Sequence, residues 1–253
     1  MMITSRCSIM RPARRLLPAL HLIIVIAACS LMPFASPTAR AEVVEDFRLW
    51  GNVTARGNLG YIDSDLKRWR WWMEAQTRFR DSGDALDQLL IRPGIGYALT
   101  DQSTVWIGYA RVTNYSAVGD QIEENRMWEQ YMWSGQTPLG AFTSRTRFEQ
   151  RWQANGNDTG GRFRQFVKFH WPLSFYPAAN FVVWDEVFVH LYSTDWGAIQ
   201  GFDQNRGFVG IGYRFSPNIL TEIGYMNQFI QRAQADRMNH ILSLTVFLDF
   251  YKS

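Results

Sequence analysis

From Phe47 onward, apolar and polar residues alternate with a period of two over most of the chain, the pattern of β-strands with one apolar face. The last run is the clearest. Leu242, Leu244, Val246, Leu248 and Phe250 fall on one side. Asn239, Ser243, Thr245 and Asp249 fall on the other, with Ile241 and Phe247 between them. Similar runs cover 47–59, 71–80, 89–99, 104–110, 125–133, 142–152, 162–171, 181–191, 206–215 and 219–229. The first two, 47–59 and 71–80, are each about the ten residues that a tilted strand needs to cross a bilayer. Pro93 interrupts the third run and predicts a bulge, because proline cannot donate to a ladder. Glu129 and Asp185 fall on otherwise apolar faces.

These runs number eleven, whereas bacterial single-chain barrels have an even number of strands. If the short turns at Thr100 and Ser216 and the C-terminus are periplasmic, the first strand starts on the outside, which conflicts with a secreted N-terminus. The expectation is therefore an all-β, antiparallel transmembrane β-barrel of twelve strands, with ten as the alternative and one element missed before Thr100.

Alternation alone does not separate such a barrel from a soluble β-sandwich, since the two place the apolar face oppositely. The polar faces favour the barrel. They mix charges of both signs with large aromatics such as Trp72, Trp106 and Trp184, more than a solvated surface requires. A repeat supports the same architecture. Gly94-Ile95-Gly96-Tyr97 recurs as Gly210-Ile211-Gly212-Tyr213, and Ile107-Gly108-Tyr109 recurs as Ile223-Gly224-Tyr225, both at the same offset. Tyr97, Tyr109, Tyr213 and Tyr225 are then candidates for an interfacial aromatic girdle.

The N-terminus changes the charge picture. Arg6, Arg11, Arg14 and Arg15 precede an apolar run from Leu16 to Cys29, and Ala39-Arg40-Ala41 supplies a small-x-small cleavage pattern. Residues 1–41 read as a signal peptide and 42–253 as the barrel domain. Ile26-Ala27-Ala28-Cys29 offers lipoprotein processing at Cys29 as a rival. Removing the leader leaves 21 basic and 23 acidic residues, so the alkaline character of the full chain gives no support for nucleic-acid binding. Both cysteines, Cys7 and Cys29, go with the leader, which excludes disulfide and thiolate chemistry from the mature chain. After the leader no apolar run is long enough for a membrane helix.

The chain resembles a known family through Trp50-Gly51-Asn52-Val53-Thr54, Leu90-Ile91-Arg92-Pro93-Gly94-Ile95-Gly96-Tyr97, Arg126-x-Trp128-Glu129-Gln130, Arg145-x-Arg147-x-Glu149-Gln150-Arg151, Phe202-x-Gln204-Asn205-Arg206 and Asn239-His240. These strings are similar to the bacterial domain-of-unknown-function 2490 family. The resemblance implies an outer-membrane barrel of a Gram-negative cell and no assigned activity.

Candidate chemistry lies on the polar faces. Glu74, Arg78, Arg92, Arg147, Glu149, Arg151, Arg164, Lys168, His170, Glu186, Arg206, Arg214 and Glu222 are expected to point into the lumen. Charges facing each other across a narrow interior persist only when paired and hydrogen-bonded, so a structural ion-pair plug is the first expectation. A narrow pore is the second. Because basic residues exceed acidic ones in this set, such a pore would prefer anions. A lipid hydrolase with His and Ser on one strand face is a further alternative, but the spacing argues against it. His240 and Ser243, and His190 and Ser193, are three apart and face oppositely, while Pro172 separates His170 from Ser174. A soluble periplasmic β-protein is the remaining alternative. Asn155-Gly156-Asn157-Asp158 lacks calcium-loop spacing. No cofactor or metal is expected. The expected partners are outer-membrane lipid and the barrel-assembly machinery, the latter through the closing strand.

Overall fold

Eleven strands account for most of residues 43–252, the part of the chain that this computed structural model describes. They are β1 (Val43–Asn58), β2 (Trp69–Arg80), β3 (Ala85–Ala98), β4 (Ser103–Tyr115), β5 (Gln121–Thr137), β6 (Gly140–Gln153), β7 (Gly160–Pro172), β8 (Ala179–His190), β9 (Gly201–Ser216), β10 (Ile219–Ile230) and β11 (Asp236–Phe250). Each pairs antiparallel with its neighbours in sequence, and β1 closes on β11, so no strand edge remains open. The segment read as a signal peptide, together with both cysteines, lies outside the described residues.

The closing pair corrects the expected count of twelve. Phe47 lies opposite His240 and Gly57 opposite Phe250, and the two strands run parallel. Each tight connection reverses the chain, so an odd number of strands returns it in the direction of β1. Closure then requires a parallel seam rather than a missing element. The start of β1 defines one rim, with loops 81–84, 116–120, 154–159, 191–200 and 231–235. The end of β11 defines the opposite rim, with connections 59–68, 99–102, 138–139, 173–178 and 217–218. β1 starts at one rim and β11 ends at the other, so the expected placement of both at the same rim does not hold.

Alternation decides what each strand buries. The outward face exposes Ile91 at 58 %, Leu242 at 54 % and Phe215 at 66 %, while the inward Arg147 and Glu149 are 0 % and 1 % exposed. Charge is thus inside and apolar surface outside. The two outward acids behave differently. Glu129 is exposed between Ile107 and Phe148. Asp185 accepts from Asn205 Nδ2 at 3.0 and 3.1 Å, beside Gly207. Nearby, Thr146 donates to Gln165 (2.6 Å) and Gln165 to Ser144 (3.1 Å), so these outward polar groups satisfy one another.

The interior is filled in two ways. On one side Trp72, Trp106, Trp128 and Ala110 form a buried cluster. The indoles fit because the inward positions opposite them are glycines. A Cβ at Gly94 would lie 2.6 Å from Trp128, and one at Gly96 would lie 2.5 Å from Trp106 Cδ2. On the other side Val182, Phe208, Met226 and Ile241 pack with Trp50 and Trp184. Here a Cβ at Gly210 would lie 2.5 Å from Phe208. The repeated Gly-x-Gly strings therefore act as two seats for inward-pointing rings.

Candidate functional site: the charged lumen

Glu149 is the centre of the lumen's charge. It projects inward from β6, where its register neighbours are Trp128 on β5 and Arg162 on β7. Its Oε2 accepts from Arg162 Nε (3.0 Å) and Nη2 (2.6 Å), and its Oε1 accepts from Arg164 Nη1 (2.6 Å). Arg147 and Arg92 stand at 3.7 and 4.0 Å. Arg164 also bridges to Glu186 Oε1 (2.8 Å), which accepts from Arg145 at 2.7 Å as well. Arg92 bonds Glu74 at 2.9 Å. Glu74 also accepts from Trp72 Nε1 (3.2 Å) and from Gln76. Arg147 is held by Gln130 Oε1 (2.9 and 2.6 Å) and lies over the Trp128 ring at 4.6 Å. A cross-lumen chain thus links Glu74, Arg92, Glu149, Arg164, Glu186 and Arg145, and the network satisfies most of the desolvated charge it contains.

Two smaller groups stand apart. Glu222 accepts from Lys168 Nζ (2.5 and 2.6 Å) and contacts His170 Nε2 at 2.7 Å. Arg151 pairs with Glu124 (2.5 Å), and so does Arg126 (2.7 Å). Arg214 is exposed beside the 217–218 turn and donates to the Pro217 carbonyl at 3.3 Å. Glu124, Arg126, Arg145, Arg162 and Asp203 were missing from the sequence-derived set although they belong to the same networks. Strand parity was the available signal, since Glu124 and Arg126 share a face with Trp128 and Gln130.

A cavity of about 760 Å³ runs through this interior. Fourteen of the side chains lining it are Arg or Lys and seven are Asp or Glu. At the rim of loop 191–200, Trp196 turns inward and lies over the Arg151 guanidinium at 5.0 Å. Asp195 anchors that loop by accepting from the Asn157 and Asp158 amides at 2.8 and 3.2 Å. Those backbone donors, Asn157 first, hold its carboxyl below the usual aspartate range. The Asn155–Asp158 segment therefore serves as a loop clasp. Among the described residues no group of three or more His, Cys, Asp or Glu is placed to hold a metal.

The four tyrosines all face outward, at two levels. Tyr97 and Tyr213 lie near the C-terminal rim, where Tyr97 meets Trp69 and Tyr213 meets Tyr176 and Phe215. Tyr109 and Tyr225 lie deeper along their strands, opposite Met127 and Val209. At the C-terminal rim the aromatic band also includes Trp133 with Phe142 and Trp71 with Phe250. The three described histidines meet carboxylates or a phenol. His170 faces Glu222, His190 lies 3.4 Å from Asp203, and His240 lies 2.7 Å from the Tyr225 hydroxyl. Among the described residues none is hydrogen-bonded to a serine.

The model of the protein family of unknown function DUF2490 matches residues 47–239, a span that contains the Glu149 network and ten of the eleven strands in whole or large part. The chain belongs to the DUF2490 family. A relative, an uncharacterized protein of Methylorubrum extorquens, is 35% identical over 215 residues, 84% of this chain and 91% of that protein. Among solved structures, the NanC porin is similar with 14% identity and a TM-score of 0.43, over 74% of this chain and 90% of that one. As a DUF2490 member the chain is a closed all-β barrel of a family without assigned activity.

Proposed function

We propose that this DUF2490 protein is an outer-membrane β-barrel whose lumen is largely closed by ion pairs and aromatic rings, leaving a narrow, anion-favouring cavity. One observation carries the reading: apolar side chains such as Ile91, Leu242 and Phe215 face out, while Arg147 and Glu149 are buried at the centre. A water-soluble barrel has no reason to expose the first set, and hydrocarbon solvates it without cost. Aromatic pairs clustered toward the C-terminal rim fit the headgroup layer. In this reading outer-membrane lipid contacts the outer face, and the assembly machinery engages β11. Residues 1–41 supply the export signal and leave 42–253 as the barrel domain. The twofold excess of basic over acidic side chains in the cavity sets the anion preference.

The test is membrane fractionation of cells making the full chain, followed by gel migration with and without boiling and by conductance in planar bilayers. The expected result is outer-membrane recovery, heat-modifiable migration and a small anion-selective conductance or none. Recovery in the soluble periplasm, or a cation-selective current, overturns the proposal.

A further inference from the structure

The carboxylates lining the cavity are all occupied. Glu74, Asp87, Glu124, Glu186, Asp203, Glu222 and Asp249 each have at least one cationic partner within 4.0 Å. Of the four lining arginines without a carboxylate partner, Arg214 and Arg237 are exposed at the rims, which leaves Arg78 and Arg206 inside. Arg78 donates to the neutral Gln76 amide at 2.7 Å, and its Nε is buried without a partner. Arg206 is 8 % exposed and donates to the neutral Gln204 amide at 3.1 Å. Its register neighbour Glu186 is already shared by Arg145 and Arg164. Neither arginine makes a salt bridge among the described residues.

Both converge on one ring. The Arg78 guanidinium lies 3.9 Å from the Trp50 centroid and that of Arg206 lies 5.0 Å from it. The two cations are therefore no farther apart than the sum of those distances. They come from opposite sides of the seam: Arg78 is the cross-strand neighbour of Trp50 on β2, and Arg206 reaches from β9. Like charges this close in a low-dielectric interior repel each other, and a cation–π contact offsets only part of that cost. A guanidinium fork with unused donors is the group that matches a carboxylate or phosphate. The cavity volume is in the range of small-molecule sites and far exceeds the space one water needs.

The geometry points to an internal binding site for a small organic or inorganic polyanion, carrying carboxylate or phosphate groups, held between Arg78 and Arg206 beside Trp50. The site shares the lumen described under the proposed function but not its dependence on a membrane. A chain that fractionates as soluble refutes the membrane reading and leaves this site standing.

The experiment uses the full chain folded in detergent, with citrate and inorganic pyrophosphate as probes and sodium chloride at matched ionic strength as the reference. Binding is followed by thermal unfolding and by calorimetry. At least one probe raises the unfolding temperature beyond the chloride reference. Citrate alone assigns the site to carboxylates, and pyrophosphate alone to phosphates. Arg78→Gln and Arg206→Gln each weaken binding about tenfold or more, as expected for a charged hydrogen-bonding partner, and the double variant abolishes it. Arg214→Gln at the rim leaves it unchanged. Because each Gln variant deletes an uncompensated charge, it is at least as stable as the parent without ligand, so folding is retained. Arg78→Lys and Arg206→Lys, which keep charge and lose the fork, fall between parent and Gln variants. Equal stabilisation by chloride, or full binding in the double Gln variant, overturns the site.

Discussion

Replacing Glu149 by Gln tests whether the lumen is a dry ion-pair plug. The substitution keeps the volume and removes one charge from a site that is 1 % exposed. Breaking a buried pair by removing one partner costs about 3–5 kcal/mol, because the other charge is left uncompensated. Here Arg164 keeps Glu186 at 2.8 Å and Arg162 keeps Asp203 at 3.3 Å. Arg147 has no other carboxylate partner among the described residues, and its Nη1 is already unsatisfied. The remaining pairs place the expected loss near the lower end, about 3 kcal/mol. The assay is urea unfolding in lipid vesicles followed by tryptophan fluorescence, with linear extrapolation to zero urea. A cycle with Arg162→Gln should show the double variant losing less than the two single losses combined, since they share one pair. A loss below about 0.5 kcal/mol for Glu149→Gln would mean that water already screens the network, and the plug would have to be abandoned.

Gly94→Ala places a methyl 2.6 Å from the Trp128 ring and should cost about 1–3 kcal/mol by overpacking, read as a lower unfolding midpoint. An unchanged midpoint would show that the indole does not seat on that glycine. Trp196→Ala removes the ring over Arg151 at the mouth of the cavity, and single-channel recording should show a larger conductance with the anion preference kept. No change would mean the constriction lies elsewhere. Asp195 has a depressed folded pKa, so its clasp on the Asn157 and Asp158 amides is complete above the ordinary aspartate value of about 3.9 and is lost as pH falls through the folded one. Pepsin cleavage within 191–200 should stay low down to that range and rise below it, and a flat profile would rule out the clasp.

The fold was legible wherever one face of a strand was uniformly apolar. The run 242–250 falls within β11, and Leu242 and Leu244 point outward from it while Ser243 lines the cavity. Boundaries failed where the ladder continues past the alternation. β5 extends to Thr137, four residues past the run 125–133, because backbone pairing with β6 does not depend on which side chains it carries. The strand number was misjudged because closure is set by the partner of β1, and no local pattern encodes a parallel seam. In the lumen, face parity identified Glu149, Arg164 and Glu186, but not which arginine reaches which acid. That depends on contacts across the barrel, such as Lys168 to Glu222, which are remote in sequence and invisible to periodicity.

The parallel seam also settles how the chain can be rewired. Circular permutation works when the two termini sit close enough for a short bridge. Here Val43 and Phe250 belong to opposite rims, and sixteen residues of β1 separate them, roughly 40 Å along the barrel axis for a tilted strand. A bridge would need about a dozen extended residues. It would have to cross either the outer apolar face or a bore already occupied by Arg147 and Glu149. Cutting a loop and joining Val43 directly to Phe250 should therefore disrupt the barrel, whereas an even-stranded barrel, whose first and last strands meet at one rim, has no such barrier.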